Sequence, residues 1–259
     1  MHSHSPSLPI LGRMTVRGLT RLVRRPSLLI PATVMPVFFV VAFSGTFNGL
    51  SRLEGFGTDR MVNWMAPYAA IQGCSFAGVG AAGATAADLE NGFFDRLLLA
   101  PCRRINLMLG PLLYSLARAV LPTTLVLVVA LLLNARLQEP VMGLVMLYIG
   151  CLGIAIVYGV LGLALVYKLR TQRAMAIAQT LVFSSSFLSI GQVPLSFQSG
   201  WLHAVSRVNP LTNVLRMTRQ GFLETGVTWH DTWPGLVALV AMIAVLGGFA
   251  ARGLRKLGP

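Results

Sequence analysis

Six apolar stretches, each long enough to cross a lipid bilayer, constrain this chain more than any other feature. They cover residues 27–50, 61–87, 107–133, 141–167, 174–191 and 234–251. A helix of about 20 apolar residues spans the roughly 30 Å hydrocarbon core of a membrane. We therefore predict an all-α integral membrane protein with six transmembrane helices, forming a single transmembrane domain over residues 1–259.

The composition agrees with this prediction. Hydrophobic residues make up 55% of the 259 residues and charged residues only 11%, whereas about 25% of the residues in a soluble globular domain are charged. A soluble globular protein is therefore excluded.

The formal net charge of +13 raises the question of nucleic-acid binding, and the positions of the basic residues answer it. With six spans, fourteen Lys and Arg lie on one side: Arg13, Arg17, Arg21, Arg24, Arg25, Arg96, Arg103, Arg104, Lys168, Arg170, Arg173, Arg252, Arg255 and Lys256. Six lie on the other side: Arg52, Arg60, Arg136, Arg207, Arg216 and Arg219. Basic residues concentrate on the cytoplasmic side of membrane proteins, so both termini are predicted to be cytoplasmic. The charge indicates topology, and we expect no nucleic-acid partner.

Residues 1–26 have the pattern of an amphipathic helix. At 100° per residue, one arc carries apolar and the opposite arc basic side chains: Leu11, Met14, Leu19 and Leu22 against Arg13, Arg17, Arg21 and Arg24. Such a helix would lie along the inner membrane surface, in contact with lipid. A disordered basic tail is the alternative. A cleavable signal after Ala42-Phe43-Ser44 is an alternative for the first span, but the apolar run continues past this site.

The segment from Asp88 to Arg104 interrupts the apolar pattern on the cytoplasmic side. It predicts a short helix over 93–100, ended by Pro101. Its apolar surface would comprise Phe93, Phe94, Leu97 and Leu98, with Asp95 and Arg96 as a polar flank. This helix either rests on lipid or docks a soluble partner. The three acidic residues of the segment favour docking.

The segment before the last span is too apolar for a solvated loop and too polar for a span. It contains Ser189 to Pro194, Gly200-Trp201-Leu202, Asn209-Pro210-Leu211-Thr212 and Arg219. Non-helical backbone at membrane depth must be covered by protein or water, so re-entrant or amphipathic helices at the outer face are predicted. Asn209 as N-cap, Pro210 as first helical residue and a stop at Thr225-Gly226 predict one short helix over 209–224.

Arg118 lies about eleven residues into the third apolar stretch. Charged residues within spans are commonly functional, although an Arg can also extend its head group to the membrane surface. Both interpretations remain open from the sequence.

Sequence signatures of catalysis are missing. The lysines Lys168 and Lys256 are each followed by Leu, so neither completes the phosphate-binding loop G-x-x-x-x-G-K-[ST]. The four histidines form no H-E-x-x-H pattern. We therefore predict neither catalytic residues nor a metal site.

Two patterns together resemble a known family. The first is Glu90-x-Gly92-x-x-Asp95-Arg96-Leu97-Leu98-x-x-Pro101-x-x-Arg104; the second comprises Pro194, Trp201, Asn209, Pro210, Thr212 and Arg219. In this order, after a basic leader, they are similar to those of ABC-2 type transporter permeases, particularly the daunorubicin-resistance-like drug-export branch.

The resemblance implies a role for each pattern. The first would couple the chain to a separate cytoplasmic ABC ATPase, which holds ATP and Mg, while this chain binds no cofactor itself. The second would shape the outer gate. A second permease copy, identical in a homodimer or related in a heterodimer, would complete the unit in a bacterial inner membrane.

The implied activity is outward movement of a hydrophobic or amphipathic substrate such as a drug, an antibiotic or a lipid-like molecule. Two alternatives remain open from the residues. One is export of a lipid-linked polysaccharide, and the other is a non-transporting membrane scaffold. A scaffold needs no helix that receives force from an ATPase, so the segment from Glu90 to Arg104 argues against it.

Overall fold

The computed structural model describes residues 30–99 and 104–257, apart from the side chains of Pro31, Asp95 and Leu99, together with Gly12, Thr15, Val16, Gly18 and Thr20. Regular structure in this part of the chain is helical. We number its α-helices α1 (Ile30–Thr46), α2 (Met61–Glu90), α3 (Phe93–Leu99), α4 (Arg104–Leu132), α5 (Pro140–Leu169), α6 (Arg173–Phe187), α7 (Gly200–Val208), α8 (Pro210–Arg219) and α9 (Trp229–Arg255).

Each predicted apolar stretch coincides with a helix, namely α1, α2, α4, α5, α6 and α9. Three of them, α4, α5 and α9, are long and apolar enough to cross a membrane. Helix α6 ends at Phe187, four residues before the predicted end at 191. It ends early because side chains bind the carbonyl groups of its last turn: Asn209 donates to Ser185 O and Leu188 O, and Ser189 donates to Ser186 O.

Helix α2 is the centre of the bundle, with 23 of its 30 residues buried. Its small residues allow neighbouring backbones to approach closely. A Cβ atom at Gly78 would lie 2.3 Å from the carbonyl oxygen of Ala155 in α5, and one at Gly73 would lie 2.8 Å from that of Ala32 in α1. These two glycines therefore let α2 pack closely against α5 and α1.

Most of the predicted leader helix over 1–26, including the arginines on its polar arc, lies outside the described residues. The described residues Gly12, Thr15, Val16, Gly18 and Thr20 are helical. Gly18 lies against α4, because a Cβ atom there would approach the ring of Tyr114 to 2.7 Å.

The prediction of one helix over 209–224 is wrong at its C-terminal end. Helix α8 stops at Arg219, a 3₁₀ turn covers Gln220–Phe222, and Gly226 has a φ of +67°. The α-helix cannot continue because the Gly221 carbonyl accepts a hydrogen bond from the backbone N–H of Gln138. Gly221 also contacts the Gly143 backbone of α5 too closely for a side chain on either residue.

Two apolar clusters hold the bundle together. The larger joins α2 to α5, α8 and α9. The smaller, which we call the coupling-end cluster, includes Phe94, Leu107, Tyr167, Ala174 and Leu254. It therefore joins α3 to the start of α4, the end of α5, the start of α6 and the end of α9.

Candidate functional site

The segment predicted to couple the chain to an ATPase forms a tight turn and a short helix. Helix α2 ends at Glu90, Asn91 follows, and Gly92 has a φ of +65°. Glycine adopts this left-handed conformation without steric cost. The turn allows α3 to begin at Phe93, only three residues after the end of α2. Pro101 lies outside the described residues, as do the predicted last helical residue at 100 and the side chain of Asp95.

Helix α3 is attached to the bundle by Phe94. This side chain is 1% exposed, and its ring centroid lies 6.0 Å from that of Tyr167 in α5. Phe94, predicted to lie on the apolar docking surface of this helix, is instead buried. Phe94 points into the bundle because its ring covers apolar side chains of the coupling-end cluster, which would otherwise be exposed.

The other α3 side chains divide between the bundle and the surface. Leu97 and Leu98 are half-buried against the coupling-end cluster. Phe93 is 37% exposed, and Arg96 is exposed. The exposed surface of α3 is therefore centred on Phe93 and Arg96, with Leu97 and Leu98 along its edge.

Glu90 connects the end of α2 to the beginning of α6. Its Oε1 atom accepts a hydrogen bond of 2.7 Å from the backbone N–H of Gln172, the N-cap residue of α6. The Gln172 side chain donates in turn to the carbonyl of Gly83 in α2. A carboxylate at a helix N-terminus is stabilised by the unpaired N–H groups and the helix dipole. The sequence singled out Glu90 but contained no signal for its partner.

Arg104 makes a comparable connection at the start of α4. Its Nη1 atom donates to the carbonyl of Arg255 at the end of α9, over 3.4 Å. Guanidinium groups commonly bind the unpaired carbonyls at helix C-termini. Residues of the predicted coupling segment thus contact α5, α6 and α9.

At the other end of the bundle, Arg219 is the central residue. Its side chain is 1% exposed. Nε donates to Trp64 O, Nη1 to Ile190 O and Nη2 to Gly191 O, at 3.1, 3.1 and 3.0 Å. Each guanidinium nitrogen thus binds a backbone carbonyl, two of them in the turn that follows α6.

The charge of Arg219 is stabilised by an aromatic face. Its Cζ atom lies 3.6 Å from the ring centroid of Trp64, a cation–π contact that is strong when water is excluded. Burial lowers the pKa of Arg219 to about 9, which the nearby Tyr68 partly opposes. The guanidinium is therefore protonated at neutral pH.

Asn209 holds the start of α8 against the end of α6. Its Oδ1 accepts from the backbone N–H of Leu211 at 3.0 Å, which confirms the predicted N-cap. Its Nδ2 donates to the carbonyls of Ser185 and Leu188 at 2.8 and 2.7 Å. One side chain thereby satisfies an unpaired donor of α8 and two carbonyls near the end of α6.

The remaining residues predicted at the outer gate differ in burial. Thr212 is buried and donates to the carbonyl of Ser206 in α7. Pro194 is buried and Pro210 is the first residue of α8. Trp201 is 70% exposed, as expected for an indole at a membrane–water interface. Asn209 and Arg219 thus contact the same turn after α6, and Trp201 lies outside that contact.

Arg118 is buried within the bundle. Its side chain is 5% exposed, and a Cβ atom at Gly80 of α2 would lie 2.4 Å from its Nη1 atom. The guanidinium therefore packs over a position where α2 has no side chain. Its role in function or at the membrane surface stays a prediction.

Sequence reasoning missed the partners of Arg219. Trp64, Ile190 and Gly191 lie 155, 29 and 28 residues away along the chain. Backbone carbonyls carry no sequence signal, and a Trp near the start of an apolar stretch is common at membrane interfaces. The sequence signal for this site was the position of Arg219 among apolar residues.

Comparison with known proteins agrees with this architecture. The family model of the ABC-2 type transporter matches residues 11–223, a range that includes both candidate segments. The chain therefore belongs to the ABC-2 type transporter family. Membership implies partnership with an ABC ATPase.

Individual relatives are similar at low identity over most of their length. The chain is 27% identical over 238 residues to ycf38 of Pyropia yezoensis, named as a transport permease, covering 90% of this chain and 79% of the relative. It is 24% identical over 230 residues to the daunorubicin resistance ABC transporter permease protein DrrB1 of Streptomyces coeruleorubidus, covering 85% of this chain and 79% of that protein.

Proposed function

We propose that this chain is the membrane-spanning permease subunit of an ABC exporter. The helices α1, α2, α4, α5, α6 and α9 cross the membrane, with both chain ends in the cytoplasm. A second permease copy pairs with this one in a bacterial inner membrane, and two copies of a separate ATPase bind from the cytoplasm. The observation that carries the proposal is the attachment of the partly exposed helix α3 to several long helices at once.

The contacts of α3 suit the transfer of movement from a soluble partner. The helix follows α2 across a two-residue turn, and Phe94 packs against Tyr167 of α5. Glu90, directly before that turn, binds the first residue of the α6 N-terminus. A displacement of α3 would therefore reach α2, α5 and α6 together, as rigid-body movement of packed helices requires.

Helix α6 connects the inner and outer sites. Its start binds Glu90, and the carbonyls at and just beyond its end bind Asn209 and Arg219. The helix has only 15 residues, so movement at Gln172 is carried over about 22 Å to the outer turn. In this proposal α6 opens the outer gate when the ATPase pair closes.

The proposed substrate is a hydrophobic or amphipathic molecule such as a drug, an antibiotic or a lipid-like compound. Its support is the similarity to DrrB1, whose name refers to daunorubicin resistance. The outer segment agrees with such a substrate, because α7 and α8 are short helices with exposed apolar and basic residues, among them Trp201, Val208 and Arg216.

The docking role of α3 is tested with the partner ATPase, once it is identified by co-purification with this chain. Phe93→Ala combined with Leu97→Ala should weaken ATPase capture by roughly 30-fold and abolish export, because a buried interface anchor contributes about 2 kcal/mol or more. Arg96→Gln is the matched control, since an exposed charge contributes about 0–1 kcal/mol. Pull-down from detergent extracts and ATP-driven substrate uptake into inverted vesicles are measured. Unchanged capture and export in the double variant would show that α3 rests on lipid.

A further inference from the structure

A groove between α5 and α9, near the coupling-end cluster, combines apolar walls with a basic rim. Its volume is about 620 Å³. Leu161, Leu165, Leu246 and Phe249 form apolar walls, and Lys168, Arg170, Arg252 and Lys256 form the rim. A volume of this size lies within the range of about 300–1,000 Å³ that is typical of ligand pockets.

The basic rim has no counter-charge among the residues that the structure describes. The groove lining contains no carboxylate, and the described ion pairs are made by Arg60 and His230 at other places. All four rim side chains are exposed. Four cations around one groove repel each other unless an anion lies between them.

The dipoles at the C-terminal ends of α5 and α9 explain why cations are tolerated here. They do not explain why the cations surround a groove. Lys168 lies in the last turn of α5, and Arg252 lies in the last turn of α9, where the helix dipole favours positive charge. Arg170 is the C-cap of α5 with a φ of 55°, which ends the helix at the groove. The walls continue away from the rim along Leu161 and Leu246. The groove therefore fits a molecule with an anionic head and an apolar tail.

We propose that this groove binds an anionic phospholipid, with the phosphate between the rim cations and an acyl chain along the apolar walls. Charge complementarity is the main argument, because basic pockets between membrane helices at the cytoplasmic face are known to bind anionic head groups. The exposed ring of Phe249, 57% accessible, provides an apolar contact for the chain at the lipid-facing side.

The lipid would act next to the docking helix. Tyr167 lines the groove and packs against Phe94 of α3. A bound lipid would thus hold the α5 end in the position against which α3 packs. The proposal does not depend on the transport function, since lipid binding can be measured without an ATPase.

The test uses the full chain, purified in a neutral detergent, with phosphatidylglycerol as probe and phosphatidylcholine as comparison. Binding is measured by native mass spectrometry and by the shift in Tm. Phosphatidylglycerol should bind and raise the Tm more than phosphatidylcholine. Arg252→Gln combined with Lys256→Gln should weaken phosphatidylglycerol binding by roughly 30-fold, because each basic residue near an anionic head group contributes about 1 kcal/mol.

Two matched variants distinguish the groove from charge in general. Arg252→Lys with Lys256→Arg keeps both charges and should retain binding. Arg52→Gln with Arg136→Gln removes two exposed cations outside the groove and should also leave binding unchanged. Circular dichroism and gel filtration confirm that each variant is folded.

Three outcomes would overturn the proposal. Wild-type phosphatidylglycerol binding in the Arg252→Gln, Lys256→Gln variant would place the lipid elsewhere. Equal Tm shifts with glycerol 3-phosphate would show a site for soluble phosphates rather than lipid. A disulfide between two copies carrying Phe249→Cys, formed in the lipid-containing membrane, would show that a second copy covers the groove.

Discussion

The guanidinium carbon of Arg219 lies 3.6 Å from the centre of the Trp64 ring. This contact attaches α8, the last helix before the final span, to the first turn of α2, the most buried helix of the bundle. The same guanidinium also binds the turn after α6. Arg219 therefore fixes three elements at this end of the bundle relative to one another.

Replacing Arg219 by Met should lower the free energy of unfolding by at least about 2 kcal/mol, because three buried carbonyls lose their charged donor. Arg219→Lys should restore little of this loss, since a single ammonium cannot reproduce the planar guanidinium contacts. Thermal unfolding in detergent measures both. Arg216→Met, on the same helix but exposed, should leave the Tm nearly unchanged. Equal Tm values for the Arg219→Met and Arg216→Met variants would contradict the structural role of Arg219.

Asn209 performs two tasks that substitutions can separate. Asn209→Ala removes both the cap of α8 and the bonds to α6, and should cost about 0.5–2 kcal/mol for the cap alone. Asn209→Ser keeps a capping oxygen but cannot donate to two carbonyls. Export assays should therefore show a loss with both variants, whereas Tm should fall more with Ala. Pro210→Ala should lower export less than Asn209→Ala, because the first helical N–H needs no partner within the helix. Full export by Asn209→Ser would show that the bonds to α6 do not matter for the gate.

The bond between Glu90 and Gln172 should be visible in hydrogen exchange. Glu90→Ala removes the acceptor at the start of α6, and a loss of about 1 kcal/mol corresponds to roughly fivefold faster amide exchange in the first turn. Glu90→Gln keeps an acceptor oxygen and should have a smaller effect. Export should decrease in the Ala variant while ATPase capture persists. If exchange rises but export does not change, α6 does not transmit movement from α3.

The proposed topology is tested by labelling single cysteines in intact cells. Glu54 and Gln172 are both exposed, and the topology places them on opposite sides of the membrane. Glu54→Cys should react with a membrane-impermeant maleimide, and Gln172→Cys should react only after the cells are opened. Cys102 lies outside the described residues and is replaced by Ser in both variants, whereas the native Cys74 and Cys151 are buried and should contribute little background. Reversed labelling would invert the proposed orientation.

The sequence was sufficient to predict features that depend on local patterns. Apolar length located the helices, and the Asn209-Pro210 pair located the start of α8, because a cap acts on the next few residues. Features that depend on distant residues were not predictable. The burial of Phe94 depends on Tyr167, and the early end of α8 depends on Gln138 and Gly143 of the α5 region. A pattern of apolar residues shows that a face is covered but does not show what covers it.

The burial of α2 has a consequence for how the protein is made. This helix carries buried Asn63, Gln72 and Ser75, and its neighbours α4 and α5 follow it in the chain. A nascent helix enters the bilayer according to its own apolarity, and α2 is not among the helices apolar enough to cross by composition. We therefore expect the insertion of α2 to depend on its neighbours, because its glycines pack directly against the backbones of α1 and α5. The central helix of the bundle is thus expected to reach a stable position in the membrane only once α5 has been inserted beside it.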